Sequence, residues 1–320
     1  MSNRIQTEMF GNEEDMVAYA MSQPLDVKER KAVEMLRMYC KNKSGVIVCN
    51  SGGKDSGVIM QLAKLAGIDF QAVYSNTTID PPELVKHLRT HCRSTVWINQ
   101  PVGLLIKMQE KSYGPPTRKS RWCCEEYKEA SVPCSVKIIG VRAEESQRRA
   151  KLWREFVVDK KDKTAVILCP ILYWTEKDVW QFHKNYKLPY CELYDDPHFT
   201  RLGCVMCPMA SCKHRKYEAQ KWPRFAQAWE MAVKKNWNLW RNVKRETPRW
   251  IKPYDGESRL ITMELSDIQE TRIIDGVEYK GFWTWKRYQA GYRTAEDFWL
   301  WWLNDDTPIS DECQYSRLLI

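Results

Sequence analysis

The sequence predicts an α/β fold in which a doubly wound, parallel, five-stranded sheet precedes a helical, tryptophan-rich C-terminal region. Short apolar runs alternate with helical patterns from residue 45 to residue 186, as in folds whose helices cover both faces of a parallel sheet. The runs are nearly unbroken in Val, Ile and Leu, which is typical of strands buried on both faces. A glycine-rich turn follows the first run directly. We therefore expect a ligand at the carboxyl ends of the strands.

The predicted elements follow one another in a regular order. A leading helix is predicted over 26–42, where apolar residues recur at helical spacing. The strands are predicted over 45–50, 70–75, 95–99, 136–141 and 165–168. The helices between and after them are predicted over 57–66, 82–92 and 176–186. Gly67 ends the first of these helices, because glycine readily adopts the left-handed conformation that closes a helix.

Changes in composition divide the chain into four parts. An N-terminal helical segment covers 1–44, and the α/β domain covers 45–190. A Cys-rich loop follows over 191–214, and the remaining residues, 215–320, form a basic, Trp-rich region. We predict that this last part is mainly helical, since its apolar residues recur every three or four positions.

The positive charge is concentrated in one segment of the chain. The 320 residues carry a net charge of +9, and Lys213–Lys252 holds twelve Lys and Arg against three Glu, an excess equal to the whole net charge. Tryptophans recur at helical spacing in the same segment. They are either buried in a core or, with the charges, form a surface for nucleic acid or another polyanionic partner. The acidic stretch that begins at Glu296 either packs against this helix or meets a partner.

The composition favours a cytoplasmic protein without a membrane partner. No stretch reaches the roughly 18 consecutive apolar residues of a membrane span, and residues 1–15 are polar. Twelve cysteines in such a protein favour metal or redox chemistry over disulfides.

The turn Ser51–Ser56 reads SGGKDS and lies between a predicted strand and a predicted helix. Backbone N–H groups and the positive end of a helix dipole meet there, which favours an anion. Gly52 and Gly53 permit close backbone approach, the serines and Lys54 can donate hydrogen bonds, and Asp55 can hold the turn or Mg²⁺. The turn is neither a Walker A loop nor a GxGxxG fingerprint.

This turn resembles the PP-loop of the adenine nucleotide α-hydrolases. The chain from about residue 45 to residue 212 is similar to the phosphoadenosine phosphosulfate reductase-like superfamily. Three further motifs carry the resemblance. The first is Ser75–Glu83, which contains Asn76, and the second is Gly140-Val141-Arg142 with Glu145 and Arg149. The third is Pro170-Ile171 with Trp174 and Asp178-Val179-Trp180. Thr78 stands where that family usually has Gly.

The resemblance implies a Rossmann-like HUP fold whose domain 45–190 binds ATP and Mg²⁺. It implies nucleotide contacts from the whole turn Ser51–Ser56. The other implied contacts are Asn76, Gly140, Arg142 and Arg149. The residues to which it assigns catalytic roles are Lys54, Asp55, Arg142 and Cys123.

A cysteine cluster supplies possible metal ligands. Cys204, Cys207 and Cys212 come from one loop, and Cys123-Cys124 lies upstream. Four thiolates suit zinc or an iron–sulfur cluster, and the resemblance favours a 4Fe-4S cluster. Which cysteine of the upstream pair binds stays open. We assign Cys124 as the fourth ligand and leave Cys123 as a reactive thiol.

These features predict an ATP-dependent adenylating enzyme of sulfur metabolism, which forms AMP and pyrophosphate before sulfur transfer. The motifs are most similar to those of the ATP pyrophosphatase of DNA phosphorothioation, which implies a DNA-modification or defence context and a cysteine desulfurase or other protein partner. A first alternative is a (phospho)adenylylsulfate reductase that uses Cys313 or Cys123 as nucleophile. A second is a nucleotide-binding partner module without turnover.

Overall fold

The computed structural model describes residues 13–112, 114–118, 120–129, 132–159, 163–241, 249–251, 268–274, 277–282 and 292–304. The chain divides into two compact units, each made of two segments. The first unit comprises Met1–Pro101 and Cys123–Val205, and the second comprises Val102–Trp122 and Met206–Ile320. Within the described ranges, no helix combines the length and the apolar character needed to cross a bilayer.

The helices and strands are numbered in chain order. The helices are α1 (Glu13–Ser22), α2 (Leu25–Cys40), α3 (Lys54–Ala66), α4 (Pro82–His91), α5 (Leu104–Glu110), α6 (Gln147–Leu152), α7 (Glu176–Tyr186), α8 (Cys212–Lys221), α9 (Pro223–Trp240) and α10 (Ala295–Asn304). The strands are β1 (Val46–Cys49), β2 (Gln71–Asn76), β3 (Val96–Asn99), β4 (Val136–Ile138), β5 (Phe156–Val158), β6 (Val166–Leu168), β7 (Arg249–Ile251), β8 (Ile268–Ile274) and β9 (Val277–Phe282). Short helical turns also occur at Cys124–Lys128, Ala143–Glu145 and Glu192–Asp195.

The first unit contains a six-stranded sheet in the order β3-β2-β1-β4-β6-β5. The first five strands in this order are parallel, and β5 pairs antiparallel with β6. The five predicted parallel strands are therefore confirmed, and β5 is an addition at the edge. Phe156 and Val158 of β5 are exposed, and at 3 residues this strand is shorter than any predicted strand.

The core of the first unit lies between the sheet and helices α2, α3 and α7. The core residues with the lowest exposure include Leu36, Val58, Ile59, Leu62, Ile138, Trp174 and Phe182. Helix α3 ends where the sequence predicts, because Gly67 adopts φ +64° and closes it. Helix α7 starts with a capping box, in which Thr175 and Asp178 each accept a backbone N–H of the other.

The second unit contains α5, α8, α9, α10 and a three-stranded antiparallel sheet in the order β7-β9-β8. This sheet is an addition to the mainly helical C-terminal region that the sequence predicts. The sequence places Asp275-Gly276 between β8 and β9, and Asp-Gly between two strands is a strong signal for a hairpin. The Trp-rich helical pattern around it obscured that signal.

The tryptophans of the basic segment contribute to the core of the second unit. Trp222, Trp229 and Trp237 are buried, and the rings of Trp229 and Trp302 stack with centroids 4.5 Å apart. Lys234 pairs with Glu230 and with Glu296 of α10. The acidic C-terminal helix therefore packs against the basic helix, as one of the two interpretations predicts. Residues 242–248 and 252 of the basic segment lie outside the described residues.

Candidate functional site

The turn Ser51–Ser56 connects β1 to the start of α3 at the carboxyl edge of the parallel sheet. β2 ends at Asn76 next to β1, and β4 leads to Gly140 on the other side of β1. Parallel strands present their carboxyl ends at one edge. The sheet topology thus brings three separate motifs of the sequence to the same edge.

Gly52 fixes the shape of the turn. Its φ is +73°, a left-handed conformation that glycine adopts without strain. A Cβ atom at Gly52 would lie 2.7 Å from Leu84 Cδ1 and 2.9 Å from Leu88 Cγ. The buried Asn50 side chain accepts the Gly52 N–H at 3.0 Å and donates to Thr95 Oγ1 at 3.0 Å. Asn50 is therefore a structural part of the turn that the SGGKDS motif does not include.

The N-terminus of α3 is arranged to meet an anion. Gly53 occupies the cap position, so no side chain at that position covers the first amides of the helix. Ser56 Oγ donates to the Gly53 carbonyl oxygen at 2.7 Å, and Ser51 Oγ donates to Ser56 Oγ at 3.4 Å. The helix dipole and the amides favour negative charge at this point. The two serines hold the turn in this shape.

Lys54 is buried beneath the segment that follows α7. Its ammonium donates to the Thr200 carbonyl oxygen at 2.6 Å and lies 3.5 Å from Glu176 Oε1. Its backbone N–H donates to the Tyr194 phenol oxygen at 3.1 Å. Burial raises the pKa of this phenol above its ordinary value, so Tyr194 stays protonated. Lys54 therefore anchors the segment around residues 194–200 to the turn. To contact a phosphate, its ammonium would have to release the Thr200 carbonyl oxygen.

Arg142 joins the turn to the loop after β4. Its Nε donates to Asp55 Oδ1 at 2.6 Å, and its Nη1 donates to Glu144 Oε2 at 2.5 Å. Arg149 pairs with Glu145. A Cβ at Gly140 would lie 3.2 Å from the Asp55 carbonyl oxygen, which explains the need for glycine there. The structure thus brings Gly140 and Arg142 to the turn, while both arginines contact carboxylates.

Asn76 lies at the end of β2 and starts a second loop of the site, residues 76–80. Its Nδ2 donates to Asn99 Oδ1 at 2.8 Å, and its Oδ1 accepts the Thr78 N–H at 2.9 Å. Thr78 adopts φ +65°, the conformation that glycine would supply at this position in the resembling family. The loop is therefore held by side-chain hydrogen bonds from its own residues.

A cavity lies beside the turn, between α3 and α4. It encloses about 130 Å³, and Gly53, Lys64, His87 and His91 contribute to its lining. Burial, together with the neighbouring His91 and His183, lowers the pKa of His87 to about 4. His87 is therefore neutral at pH 7 and leaves Lys64 as the permanent positive charge of this cavity.

The predicted metal ligands are divided between the two units. Cys124 and Cys204 belong to the first unit, and Cys207 and Cys212 belong to the second. Cys204 donates to Thr77 Oγ1 at 3.5 Å, and Cys212 donates to the Asn304 carbonyl oxygen at 2.8 Å.

In the described part of the chain, no three His, Cys, Asp or Glu side chains are placed to hold a metal ion. The predicted 4Fe-4S cluster and the alternative zinc ion are therefore not shown, although four cysteines are the donor set that either group uses. Cys123, the predicted reactive thiol, precedes the helical turn Cys124–Lys128 and is half-buried. Cys313 lies outside the described residues.

Comparison with protein families gives one match over the α/β domain. The family described as "Phosphoadenosine phosphosulfate reductase domain" matches residues 45–210. This range includes the turn Ser51–Ser56, the loop at Asn76 and the motif at Gly140–Arg142.

Two curated proteins align with most of this chain at 26–27% sequence identity. An uncharacterised protein of Methanocaldococcus jannaschii is 27% identical over 287 residues, which cover 85% of this chain and 52% of that protein. The chain thus spans about half the length of this relative. An adenosine 5'-phosphosulfate reductase of Staphylococcus haemolyticus is 26% identical over 212 residues, which cover 62% of this chain and 86% of the reductase.

Two solved structures align with more than half of this chain, with TM-scores of 0.41 and 0.38. A phosphoadenylyl-sulfate reductase from Candida auris, in a phosphate complex, has a TM-score of 0.41 at 14% identity and covers 56% of this chain and 93% of its own. An NH3-dependent NAD synthetase from Campylobacter jejuni has a TM-score of 0.38 at 15% identity and covers 68% of this chain and 95% of its own. The description of the fold therefore rests on the chain's own strand order.

Proposed function

The chain belongs to the phosphoadenosine phosphosulfate reductase domain family, and we propose that it binds ATP at Ser51–Ser56 and catalyses adenylation of an acceptor. Pyrophosphate is the first product, and sulfur transfer to the acceptor follows with release of AMP. The observation that carries the proposal is the intact SGGKDS turn at the start of α3. An enzyme whose substrate is already adenylated has no need to bind the β- and γ-phosphates of ATP there.

The site contains the groups that binding of a triphosphate requires. The amides at the N-terminus of α3 would meet the phosphates once the Tyr194 hydroxyl, which accepts the Lys54 N–H, moves aside. Asp55 is the residue that would hold Mg²⁺, because this ion usually binds through one or two carboxylates together with substrate phosphates. Its carboxylate lies at the first turn of α3, beside the expected phosphates. Lys54 would contact the phosphates once its ammonium leaves the Thr200 carbonyl oxygen.

The proposed reaction has two steps. An oxygen of the acceptor attacks the α-phosphorus, the bond from that phosphorus to the bridging oxygen breaks, and pyrophosphate leaves with the electron pair. A sulfur nucleophile then attacks the activated atom of the acceptor, and AMP leaves with its oxygen. Mg²⁺ neutralises charge on the departing pyrophosphate when it is bound. The cysteine desulfurase or other partner that would supply the sulfur is a further part of the proposal.

Nucleic acid is the acceptor that the surface of α8 and α9 favours. Lys213, Lys216, Arg224, Lys235 and Arg241 are exposed, whereas the neighbouring tryptophans are buried. Binding would therefore depend on phosphate contacts and not on stacking with bases, so its affinity would fall steeply with salt. A titration of labelled DNA at two salt concentrations tests this part of the proposal, which fails when a chain with Lys213, Lys216 and Lys235 changed to Glu binds equally well.

Reduction of adenylylsulfate, or of its 3'-phosphorylated form, is the second candidate. The staphylococcal relative is an adenosine 5'-phosphosulfate reductase, which favours this candidate. A thiolate, for which Cys123 is available, would attack the sulfur atom, and the bond from sulfur to the AMP oxygen would break. A dithiol reductant of the thioredoxin class would then release sulfite and become a disulfide.

The products distinguish these functions. We would incubate the protein with ATP and Mg²⁺, and separately with adenylylsulfate and a dithiol, and measure pyrophosphate, AMP and sulfite. Pyrophosphate formation that is lost in Lys54→Met and kept in Lys184→Met supports adenylation, since Lys184 is an exposed lysine on α7 outside the cavity beside the turn. Sulfite formation without pyrophosphate supports the reductase. Binding of nucleotide with neither product supports a partner module without turnover.

The predicted metal site is tested separately, because no step of the proposed reaction uses a metal cluster. Iron and zinc are measured in protein purified without oxygen. Four irons per chain that are lost in Cys207→Ala would support the predicted 4Fe-4S cluster, and one zinc would support the alternative. Protein without either metal would contradict both the cluster and the zinc prediction.

A further inference from the structure

We infer that His183 is a positioning residue, whose ring polarises the peptide group between Lys54 and Asp55 and so strengthens the Asp55 N–H as a donor to phosphate. The inference rests on the proposed nucleotide site, to which Asp55 belongs. His183 lies on α7, three residues beyond the last motif that carries the family resemblance. It therefore adds a residue to the site that the motifs do not include.

The imidazole of His183 contacts the backbone of the turn directly. Its Nε2 lies 2.8 Å from the Lys54 carbonyl oxygen, and because a carbonyl oxygen can only accept, Nε2 is the donor. His183 is 4% exposed, so water does not compete for this bond. In a regular helix the same oxygen also accepts the N–H of Val58, four residues further on. His183 thus supplies a second hydrogen bond to an oxygen that the helical pattern already satisfies.

This second hydrogen bond affects the other end of the same peptide group. The Lys54 carbonyl and the Asp55 N–H belong to one amide, and a hydrogen bond accepted by its oxygen makes its N–H a stronger donor. The Tyr194 hydroxyl accepts the Lys54 N–H. The Asp55 N–H is the second amide of α3 and has no partner within the helix. An anion at the start of α3 would therefore meet the amide that His183 polarises.

The packing around His183 favours this role over a contribution to stability. Its Nδ1 is buried without a hydrogen-bond partner among the described residues, a cost that an apolar side chain would avoid. Gly57 leaves room for the ring, since a Cβ there would lie 3.2 Å from His183 Cε1. Glycine inside a helix is itself unfavourable. Two unfavourable residues together thus bring one N–H to the Lys54 carbonyl oxygen.

The test compares His183→Leu with His183→Gln on the full chain. Leucine removes the donor and stays apolar, whereas glutamine again presents an Nε2–H. The first measurement is the proton chemical shift of the Asp55 N–H without nucleotide, in a chain labelled with 15N-aspartate. The peak is identified by its loss in Asp55→Asn. The second measurement is the Kd for ATP with Mg²⁺ by calorimetry, read beside the melting temperature.

The two variants should differ in binding and in the amide signal. We expect the Asp55 amide proton to move upfield in His183→Leu and to return in His183→Gln. ATP should bind about threefold more weakly to His183→Leu, because polarisation changes the energy of a hydrogen bond by about 10–30%. His183→Leu should melt no lower than the unchanged chain. Weaker binding without a loss of stability is a result that a purely structural role would not give.

Two further variants control for the fold. Gly57→Ala keeps the histidine but forces its ring to shift by a few tenths of an ångström. It should stabilise α3 and still weaken ATP binding, and it carries the same measurements if His183→Leu does not fold. Tyr186→Phe removes a hydroxyl of α7 that bonds to Glu29. It should lower stability and leave ATP binding and the Asp55 amide unchanged.

The outcomes keep this inference separate from the proposed function. An unmoved Asp55 amide proton in His183→Leu would overturn the inference, as would a loss of ATP binding that only follows a loss of stability. If the unchanged chain binds no ATP, the proposed function fails. The amide signal, which is measured without nucleotide, still decides whether His183 polarises this peptide group.

Discussion

Individual residues of the phosphate turn are determined by contacts with distant parts of the chain. Gly52 faces Leu84 and Leu88 of α4, and Gly140 faces the backbone of Asp55. The motif SGGKDS predicts glycines that let an anion approach the backbone, and the structure shows a further reason for Gly52, which is its close packing against Leu84 and Leu88. The motif does not predict that Lys54 contacts Thr200 or that Arg142 contacts Glu144, because those contacts depend on how remote loops pack.

Gly52→Ala should destabilise the first unit strongly. The alanine would adopt an unfavourable φ of +73° and would place its Cβ 2.7 Å from Leu84 Cδ1. Gly67→Ala is the matched control, because φ there is +64° and no atom lies within 4 Å of the added Cβ. We expect Gly67→Ala to cost roughly 1–2 kcal/mol of the free energy of unfolding. Gly52→Ala should cost about 1–3 kcal/mol more, and equal losses in urea titrations would contradict the contact.

His87 should make stability depend on pH. Its pKa is about 4 in the folded chain because of burial and the neighbouring His91 and His183, whereas an unfolded histidine titrates near 6.5. The unfolded chain therefore binds the proton first, and the free energy of unfolding falls as the pH drops from about 6.5 to about 4. His87→Gln lacks this titration. Melting temperatures of the two chains should diverge over that range, and parallel curves would contradict the burial of His87.

At the scale of helices and strands, the sequence predicts elements whose burial is uniform. β1 and β2 are largely buried, so each appears as an apolar run, whereas Val96 of β3 at the sheet edge is exposed. The edge strand Phe156–Val158 is a run of only three apolar residues, and the β8–β9 hairpin is indicated only by its Asp-Gly dipeptide. The pattern thus fails to predict a short edge strand and a hairpin within a region whose other elements are helices.

A buried ion pair connects α2 to the start of α7. Lys28 Nζ lies 2.6 Å from Asp178 Oδ2, and the Lys28 side chain is 5% exposed. Burial alone would raise the pKa of Asp178, but hydrogen bonds from Lys28 and Thr175 lower it overall. The carboxylate therefore stabilises the fold above the pKa of an unfolded aspartate, and this contribution is lost as the pH falls below it.

Lys28→Met should leave Asp178 without its partner and cost about 3–5 kcal/mol of the free energy of unfolding at pH 7. The cost should shrink below about pH 4, where the aspartate of the unfolded chain is protonated. Arg30→Met is the control, since Arg30 and Asp26 form an exposed pair that should contribute less than about 1 kcal/mol. Equal effects of the two variants in denaturant titrations would show that the buried pair contributes no more to the free energy of unfolding than the exposed pair.

At the scale of the whole molecule, the chain combines an α/β unit that carries the candidate site with a second unit whose core is rich in tryptophan. The second unit depends on polar contacts as well. Asn236 is fully buried and donates at 2.8 Å both to the Met108 and to the Lys111 carbonyl oxygen. These contacts fasten α9 to the end of α5 within that unit.

Asn236→Leu should therefore destabilise the second unit by about 1–3 kcal/mol for each buried carbonyl that it leaves without a donor. Asn238→Leu, at an exposed position of the same helix, should have little effect. Limited proteolysis and denaturant titration of both variants would measure the difference. Equal stability of the two variants would mean that α9 is held to α5 without Asn236.

The most direct test of the account is a calorimetric titration of the whole chain with ATP and Mg²⁺, repeated on Lys54→Met. The account predicts that one ATP binds per chain and that Lys54→Met binds it at least tenfold more weakly, while Lys184→Met, changed at an exposed lysine of α7, binds it normally. No heat of binding in the unchanged chain, or equal affinity in all three chains, would contradict the assignment of Ser51–Ser56 as the nucleotide site.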